Sequence, residues 1–89
     1  MQITIDCAQI FDRGTFHRAF ATKLHFPIYY GENLDALFDC LTSLPENTTL
    51  VLQNAETLLD SLGGYGRAAL NALTRAEMES EGRLTIRMT

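Results

Sequence analysis

Apolar residues recur along the 89-residue chain with two different periods, one typical of strands and one typical of helices. Residues 2–5 (QITI) alternate in steps of two and include β-branched side chains, which predicts a short strand. Apolar residues then recur at helical spacing over 16–24, and either Asp12 or Thr15 can cap this helix at its start. Pro27 disfavours helical geometry at the residue before it, so we expect the helix to end there and a loop to follow.

A second helix is predicted to begin at Leu34, because Asn33 can accept hydrogen bonds from the unpaired amides of its first turn. Leucines at helical spacing form its buried side: Leu34, Leu37, Leu41 and Leu44. Polar residues form the opposite side: Asp35, Asp39 and Thr42. Phe38 lies at the border between the two sides, and Pro45 ends the helix.

Two further segments complete a predicted sheet. The run LVL at 50–52 is continuously apolar, which is typical of a central strand covered on both faces. Residues 83–88 alternate apolar and polar side chains and predict an edge strand with one solvated face. Helical segments separate the strands, which favours parallel pairing. We therefore expect an α/β fold, with a three-stranded parallel sheet and about four helices, in a single domain over 1–89.

The remaining helices are predicted between these two strands. Residues 55–62 predict a short helix, and the sequence GGYG at 63–66 predicts a turn that ends it. A longer helix is expected over about 67–81, with Gly82 as its C-terminal cap. Its buried side is expected to come from Ala69, Leu70, Leu73 and Ala76, with Leu62 before it.

Composition limits the classes of protein to which the chain can belong. Eighty-nine residues support one hydrophobic core, and 46% hydrophobic residues are enough for folding. No apolar run approaches the roughly 18 residues that span a bilayer, and no basic and then apolar leader is present, so we expect a cytoplasmic protein without membrane association. Cys7 and Cys40 lack the spacing of a metal or redox motif, which favours free thiols.

The distribution of charge says more than the net charge of −4. Residues 24–66 contain six acidic residues and no basic one, a local charge of −6, while the rest of the chain carries +2. Such a segment repels nucleic acid and attracts a basic partner. The partner is therefore expected to be a basic protein.

Enzymatic and cofactor chemistry find little support. Asp35 and Asp39 are one helical turn apart, but a carboxylic acid catalyst needs a desolvated site, which a polar helix face does not provide. His17 and His25 have no nucleophile motif nearby. The sequence GGYG lacks the lysine of a phosphate-binding loop, and no group of residues has the spacing of metal ligands. We expect no catalytic residues, no metal and no cofactor.

The acidic side of the second helix has two interpretations. A solvated helix surface is the simpler one, and Asp35 gains stability from the helix dipole near the N-terminus. Against it, no Lys or Arg lies within a helical turn, so Asp35 and Asp39 repel each other. Aromatic residues also flank the carboxylates, as in protein interfaces: Tyr29, Tyr30 and Phe38.

The segment FPIYYGENLDALFDCLT at 26–42 resembles the barstar family, the intracellular inhibitors of barnase-type ribonucleases. The similarity continues more weakly over nearly the whole chain. It implies a small parallel sheet with helices, and a helix with its preceding loop that plugs the ribonuclease active site. Acidic side chains of the family occupy the positions of substrate phosphates.

Residues are assigned from this resemblance where they match the family's motif. Asp39 resembles the central aspartate that pairs with arginine and histidine groups of the enzyme, and Asp35 resembles a second contact acid. Tyr29 matches the tyrosine that packs on the catalytic histidine. The complete expected partner-binding set is Tyr29, Tyr30, Asn33, Asp35, Phe38, Asp39, Thr42, Ser43, Leu44 and Glu77.

The sequence also departs from the family pattern. Phe38 stands where the family has tryptophan, and Ser43 and Leu44 stand where it has a Gly-Trp pair; Cys7 is new. The resemblance implies a bacterial antitoxin or immunity protein, monomeric when free, that forms a 1:1 heterodimer with a basic, extracellular-type or toxin ribonuclease. An acidic module that binds a basic protein other than a ribonuclease is the open alternative.

Overall fold

The computed structural model describes residues 1–89. Its strands are β1 Gln2–Asp6, β2 Thr48–Gln53 and β3 Leu84–Met88. They form one parallel sheet in the order β1-β2-β3, with Ile3 opposite Leu50 and Leu50 opposite Ile86. The apolar strand at the centre and the edge strand at the C-terminal end confirm the predicted α/β topology.

Four helices accompany the sheet: α1 Arg13–Leu24, α2 Leu34–Thr42, α3 Thr57–Leu62 and α4 Gly64–Glu79. Both residues proposed as the cap of α1 take part in capping it. The Asp12 carboxylate accepts a hydrogen bond from the Thr15 amide at 2.8 Å, and the Thr15 hydroxyl accepts one from the Asp12 amide at 3.0 Å. This reciprocal pair fixes where α1 begins.

The hydrophobic core lies between the helices and one face of the sheet. Its large side chains are almost completely buried: Phe16, Phe20, Leu37, Leu41, Leu50, Leu52, Leu58, Leu73 and Leu84. The helices α2 and α3 pack against α4, while α1 packs on β1. All four helices therefore contribute to a single core.

The prediction that β2 is covered on both faces is wrong. Val51 is only half-buried, and its sheet neighbours Thr4 and Arg87 are exposed. A central strand shields its outward side chain with those of neighbouring strands, so an apolar run does not require a second layer of helices. The sheet has one covered face and one open face.

The predicted boundaries of α4 also need correction. The helix begins at Gly64, not near residue 67, and of residues 63–66 only Gly63 takes a left-handed φ, of 58°. Gly66 belongs to the helix and is buried. It packs so closely against α3 that a Cβ at this position would lie 2.2 Å from the Leu58 carbonyl oxygen. The helix ends at Glu79, and the left-handed turn after it starts at Glu81, one residue before Gly82.

Candidate protein-interaction surface

The start of α2 is fixed by the predicted cap. Asn33 Oδ1 accepts a hydrogen bond from the Ala36 amide at 2.8 Å, and Nδ2 donates to the Gly31 carbonyl at 3.3 Å. The side chain thereby satisfies one of the free amides of the first turn and also ties the preceding loop to the helix. Asn33 therefore sets the position from which the helix presents its other residues.

Burial of the leucines sets the rotation of α2. Leu37 and Leu41 are 0% and 1% exposed, and Leu34 is half-buried. This rotation directs Asp35 and Asp39 to solvent, where both are exposed. The two carboxylates therefore lie one turn apart on the outer side of a helix whose orientation is fixed by its buried leucines.

Neither carboxylate is paired. No cationic group lies within 4.0 Å of Asp35 or Asp39. Asp35 is in the first turn of α2, where the helix dipole stabilises it, but Asp39 is in the last turn, which has no basic residue and where the dipole opposes a negative charge. Helix stability therefore accounts for the carboxylate of Asp35, but it gives no reason for a carboxylate at the position of Asp39.

A cation reaches this side of α2 from another helix. The guanidinium of Arg75, on α4, lies 5.1 Å from the ring centroid of Phe38, close enough for a cation–π contact. Arg75, Phe38 and Asp35 line a groove of about 320 Å³ between α2 and α4. The sequence did not indicate Arg75, because tertiary packing alone brings it next to α2.

The loop before α2 contains a tight turn. The Tyr30 amide donates to the Pro27 carbonyl at 2.9 Å, which places Ile28 and Tyr29 at the central positions. Tyr29 is 84% exposed. Tyr30 points inward, with its hydroxyl 2.6 Å from Nδ1 of His17, and burial raises the pKa of its phenol. The two adjacent tyrosines therefore serve opposite purposes, one facing solvent and one anchoring the loop.

His17 is a structural residue. It is 1% exposed, and its Nε2 lies 2.6 Å from the Tyr65 hydroxyl while Nδ1 contacts Tyr30. Burial lowers the pKa of its imidazole, although the negative charge of Glu32 acts in the opposite direction. Through these contacts His17 joins α1 to the loop and to α4.

A second groove, of about 370 Å³, lies at the C-terminal end of α2. Tyr29, Asp39 and Ser43 contribute to its lining together with apolar side chains. Cys40 is also in the lining, and burial and then the charge of Asp39 raise the pKa of its thiol. Cys7 is buried, and burial, Asp6 and Glu56 raise the pKa of its thiol to about 11. Neither cysteine is in a disulfide bond.

Other residues of the expected set are engaged within the fold. The Thr42 hydroxyl donates to the Phe38 carbonyl at 2.9 Å. Leu44 is 6% exposed, so its side chain belongs to the core. Glu77 is half-buried, and its Oε2 accepts a hydrogen bond from the Ile86 amide of β3 at 2.7 Å. The bond of Thr42 is local to α2, whereas the burial of Leu44 and the contact of Glu77 depend on tertiary packing that the sequence did not reveal.

The exposed side chains that remain together form what we call the α2 surface: Tyr29, Asp35, Asp39 and Ser43, with the half-buried Phe38 between them. No group of three His, Cys, Asp or Glu side chains is arranged to hold a metal ion. None of the helices has the length and apolar character needed to cross a bilayer. Carboxylates beside aromatic rings on a rigid helix are suited to binding a cationic protein surface.

The sequence matches a known protein family over most of its length. Residues 1–87 match the family model described as "Barstar (barnase inhibitor)". The chain is also 42% identical over 81 residues to a protein of Bacillus subtilis (strain 168) named "Putative ribonuclease inhibitor YrdF", an alignment that covers 88% of this chain and 87% of that protein. Both matches extend over nearly the full length of the sheet and helices described above. The chain belongs to the barstar family.

Proposed function

We propose that this protein inhibits a barnase-type ribonuclease by placing the α2 surface in the active site of the enzyme. Asp35 and Asp39 then occupy positions that RNA phosphates take in the substrate complex. The observation that carries this proposal is the pair of exposed, unpaired carboxylates one turn apart on α2, in a chain of the barnase-inhibitor family. The protein is a plug without catalytic activity of its own.

Asp39 is the central contact in this proposal. Its carboxylate lies beside a groove with apolar lining, which suits a guanidinium or imidazolium whose flat faces are apolar. Ribonucleases bind phosphates with such groups, and a carboxylate accepts strong charge-assisted hydrogen bonds from them. Binding also removes the cost of holding Asp39 in the last turn of α2, because a partner cation offsets the helix dipole there.

The neighbouring residues supply the second contact acid and the aromatic contact. Asp35 meets another cation of the enzyme, and the exposed ring of Tyr29 packs on its catalytic histidine. Arg75 adds a positive charge at the edge of the same surface, over Phe38. An enzyme that binds well therefore presents cations to the carboxylates and avoids a further cation opposite Arg75.

Long-range charge favours the encounter. Six acidic residues without a basic one over 24–66 give this part of the protein a negative field. A basic enzyme is attracted by that field, and added salt screens the attraction. Association is therefore fast at low salt and slower at moderate salt.

The biological role follows from the chemistry of the partner. A ribonuclease that acts inside the cell that makes it degrades that cell's RNA, so a cytoplasmic inhibitor protects the producer as an immunity protein or antitoxin. One inhibitor molecule blocks one active site, which gives a 1:1 complex from a monomeric inhibitor. No nucleic acid contacts the protein directly.

The test is a titration of barnase with the purified protein while RNA cleavage is followed at low and at moderate salt. We expect stoichiometric inhibition, with association slowed by salt. Barnase activity that is unchanged at an excess of the protein would contradict the proposal. Capture of a basic protein that is not a ribonuclease would then support the alternative of a general acidic interaction module.

A further inference from the structure

Ile28 and Tyr29 are the two most exposed large apolar side chains, at 104% and 84% of full exposure, and they are adjacent in the chain. Both occupy central positions of the turn closed by the Tyr30 amide and the Pro27 carbonyl, where glycine and polar residues are usually favoured. Single exposed apolar side chains are common on protein surfaces. A contiguous pair at the tip of a turn is a different feature, because it can be buried as a unit by a partner.

Contacts on the buried side of the turn fix its conformation. The ring of Tyr30 packs on that of Phe26, with centroids 5.0 Å apart, and its hydroxyl contacts His17. Left-handed residues bound the loop on both sides, His25 with φ 56° and Glu32 with φ 52°. A loop fixed in this way loses little conformational entropy on binding, so its exposed side chains act as pre-positioned contacts.

The turn is also continuous with the α2 surface. Tyr29 lines the same groove as Asp39 and Ser43. Pro27 lines it as well, so both chain neighbours of Ile28 border the groove, and a partner that covers this edge of the α2 surface also meets Ile28. Because Ile28 carries neither charge nor hydrogen-bonding groups, it gains nothing from the cations of a phosphate-binding site, and its favourable contact is an apolar one.

We propose that Ile28 is an apolar anchor that enters a recess of the ribonuclease beside its phosphate-binding site and determines which ribonucleases the protein binds. This inference rests on the proposed function. The cations that hold phosphates are required for catalysis and are shared among enzymes of this class. A recess at the margin of the site is free to vary, so an apolar side chain that fits it discriminates between enzymes that Asp39 alone does not distinguish.

The experiment compares variants in the barnase titration. We expect Ile28→Ala to weaken inhibition about tenfold or more, as for an apolar side chain that is fully buried in a pocket of the partner. Ile28→Leu keeps most of the affinity, and Ile28→Glu weakens inhibition more than Ile28→Ala, even though its charge is attracted to a basic enzyme. Phe11→Ala is the matched control, because Phe11 is 67% exposed and lies before α1, at the end of that helix away from the turn.

The outcomes separate the anchor from the function on which it rests. Equal inhibition by the wild-type protein and Ile28→Ala, or tighter inhibition by Ile28→Glu, would overturn the anchor and leave the proposed function intact. Failure of the wild-type protein to inhibit would overturn both, and it appears in the wild-type titration alone. Ile28 is fully exposed, so the melting transitions of its variants should match that of the wild type.

Discussion

The Tyr30 hydroxyl lies 2.6 Å from Nδ1 of His17, so a residue of the exposed loop is bonded to a side chain that is 1% exposed. The Tyr65 hydroxyl lies at the same distance from the other ring nitrogen. A neutral imidazole donates from one nitrogen and accepts at the other, and a tyrosine hydroxyl can take either part. The neutral ring therefore satisfies both contacts with a single arrangement of protons.

This arrangement predicts a dependence of stability on pH. Because burial lowers the folded-state pKa of His17 below the ordinary value of 6.5, the unfolded chain takes up its proton first as the pH falls. His17 therefore does not lower the free energy of unfolding above pH 6.5. Below pH 6.5 that free energy decreases until the folded-state pKa of His17 is reached, by at most about 1.4 kcal/mol per pH unit for one proton. Urea denaturation at a series of pH values measures this.

His17→Gln is the control for the pH dependence, since it removes the ionisable ring and keeps groups that can hydrogen-bond to both tyrosines. Its stability should lack the decrease that begins at pH 6.5 in the wild type. Asp6 and Asp12, whose pKa values are lowered from 3.8 by hydrogen bonds, act only at lower pH. Identical pH profiles for the two proteins would show that His17 does not cause the decrease.

Leu41→Asp tests the rotation of α2. Leu41 is 1% exposed in the core, so a carboxylate there is buried without a partner, and we expect a loss of about 3 kcal/mol or more that unfolds much of the protein. Ser43→Asp is the matched control, because it adds the same charge to an exposed position near the same end of the helix. Thermal unfolding followed by circular dichroism compares them. An unchanged cooperative transition for Leu41→Asp would contradict the assigned rotation.

Asp39→Ala separates binding from stability. Its removal should weaken inhibition by about 2 kcal/mol or more, as for a hot-spot residue, while stability rises by a few tenths of a kcal/mol because the helix dipole no longer opposes a charge. Glu56→Ala removes an exposed carboxylate before α3 and should affect inhibition much less. Equal losses of inhibition in the two variants, measured by activity titration, would contradict the central role of Asp39.

Glu77 closes the outer edge of β3. Its carboxylate accepts a hydrogen bond from the outward-facing Ile86 amide, and Ser80 Oγ accepts one from the Leu84 amide at 3.0 Å. Glu77→Ala should free the Ile86 amide, lower stability by about 1.5–3 kcal/mol and produce self-association that increases with protein concentration. Glu77→Gln keeps an acceptor and should remain monomeric. Sedimentation velocity distinguishes them, and a monomeric Glu77→Ala at high concentration would show that the edge is closed without Glu77.

Local signals accounted for most of the fold. Asn33 caps α2 through a contact within its own first turn, so the sequence was sufficient to place the start of this helix. Its end was placed too late, because α2 ends at Thr42 and Leu44 reaches the core from the segment between the helix and Pro45. Gly66 was misassigned to a turn because glycine is used both in turns and at close backbone contacts. Its actual role depends on the Leu58 carbonyl of another helix, and no spacing within the chain indicates that approach.

The candidate site divides in the same way. The sequence has no basic residue within a helical turn of Asp35 or Asp39, which predicted that neither carboxylate forms an ion pair within α2. The structure has no such ion pair. Arg75 reaches the same surface only because α4 packs against α2. The hydrogen bond of Glu77 with Ile86 likewise joins segments whose contact the sequence does not specify. Chemistry carried by one helix was predictable, and chemistry assembled by two elements was not.

The exposed side chains of the turn and of α2 come from one uninterrupted stretch, residues 28–43, while the core residues that fold the protein alternate with them. Ile28, Tyr29, Asp39 and Ser43 are exposed, so replacing them leaves the packing of the core intact. Under the proposed function, single codon changes at these exposed positions redirect recognition with little effect on folding stability, unlike changes at the buried Leu37 and Leu41 of the same stretch. On that proposal, a lineage that carries this protein follows a changing ribonuclease by successive point mutations at exposed positions, while the buried core stays packed.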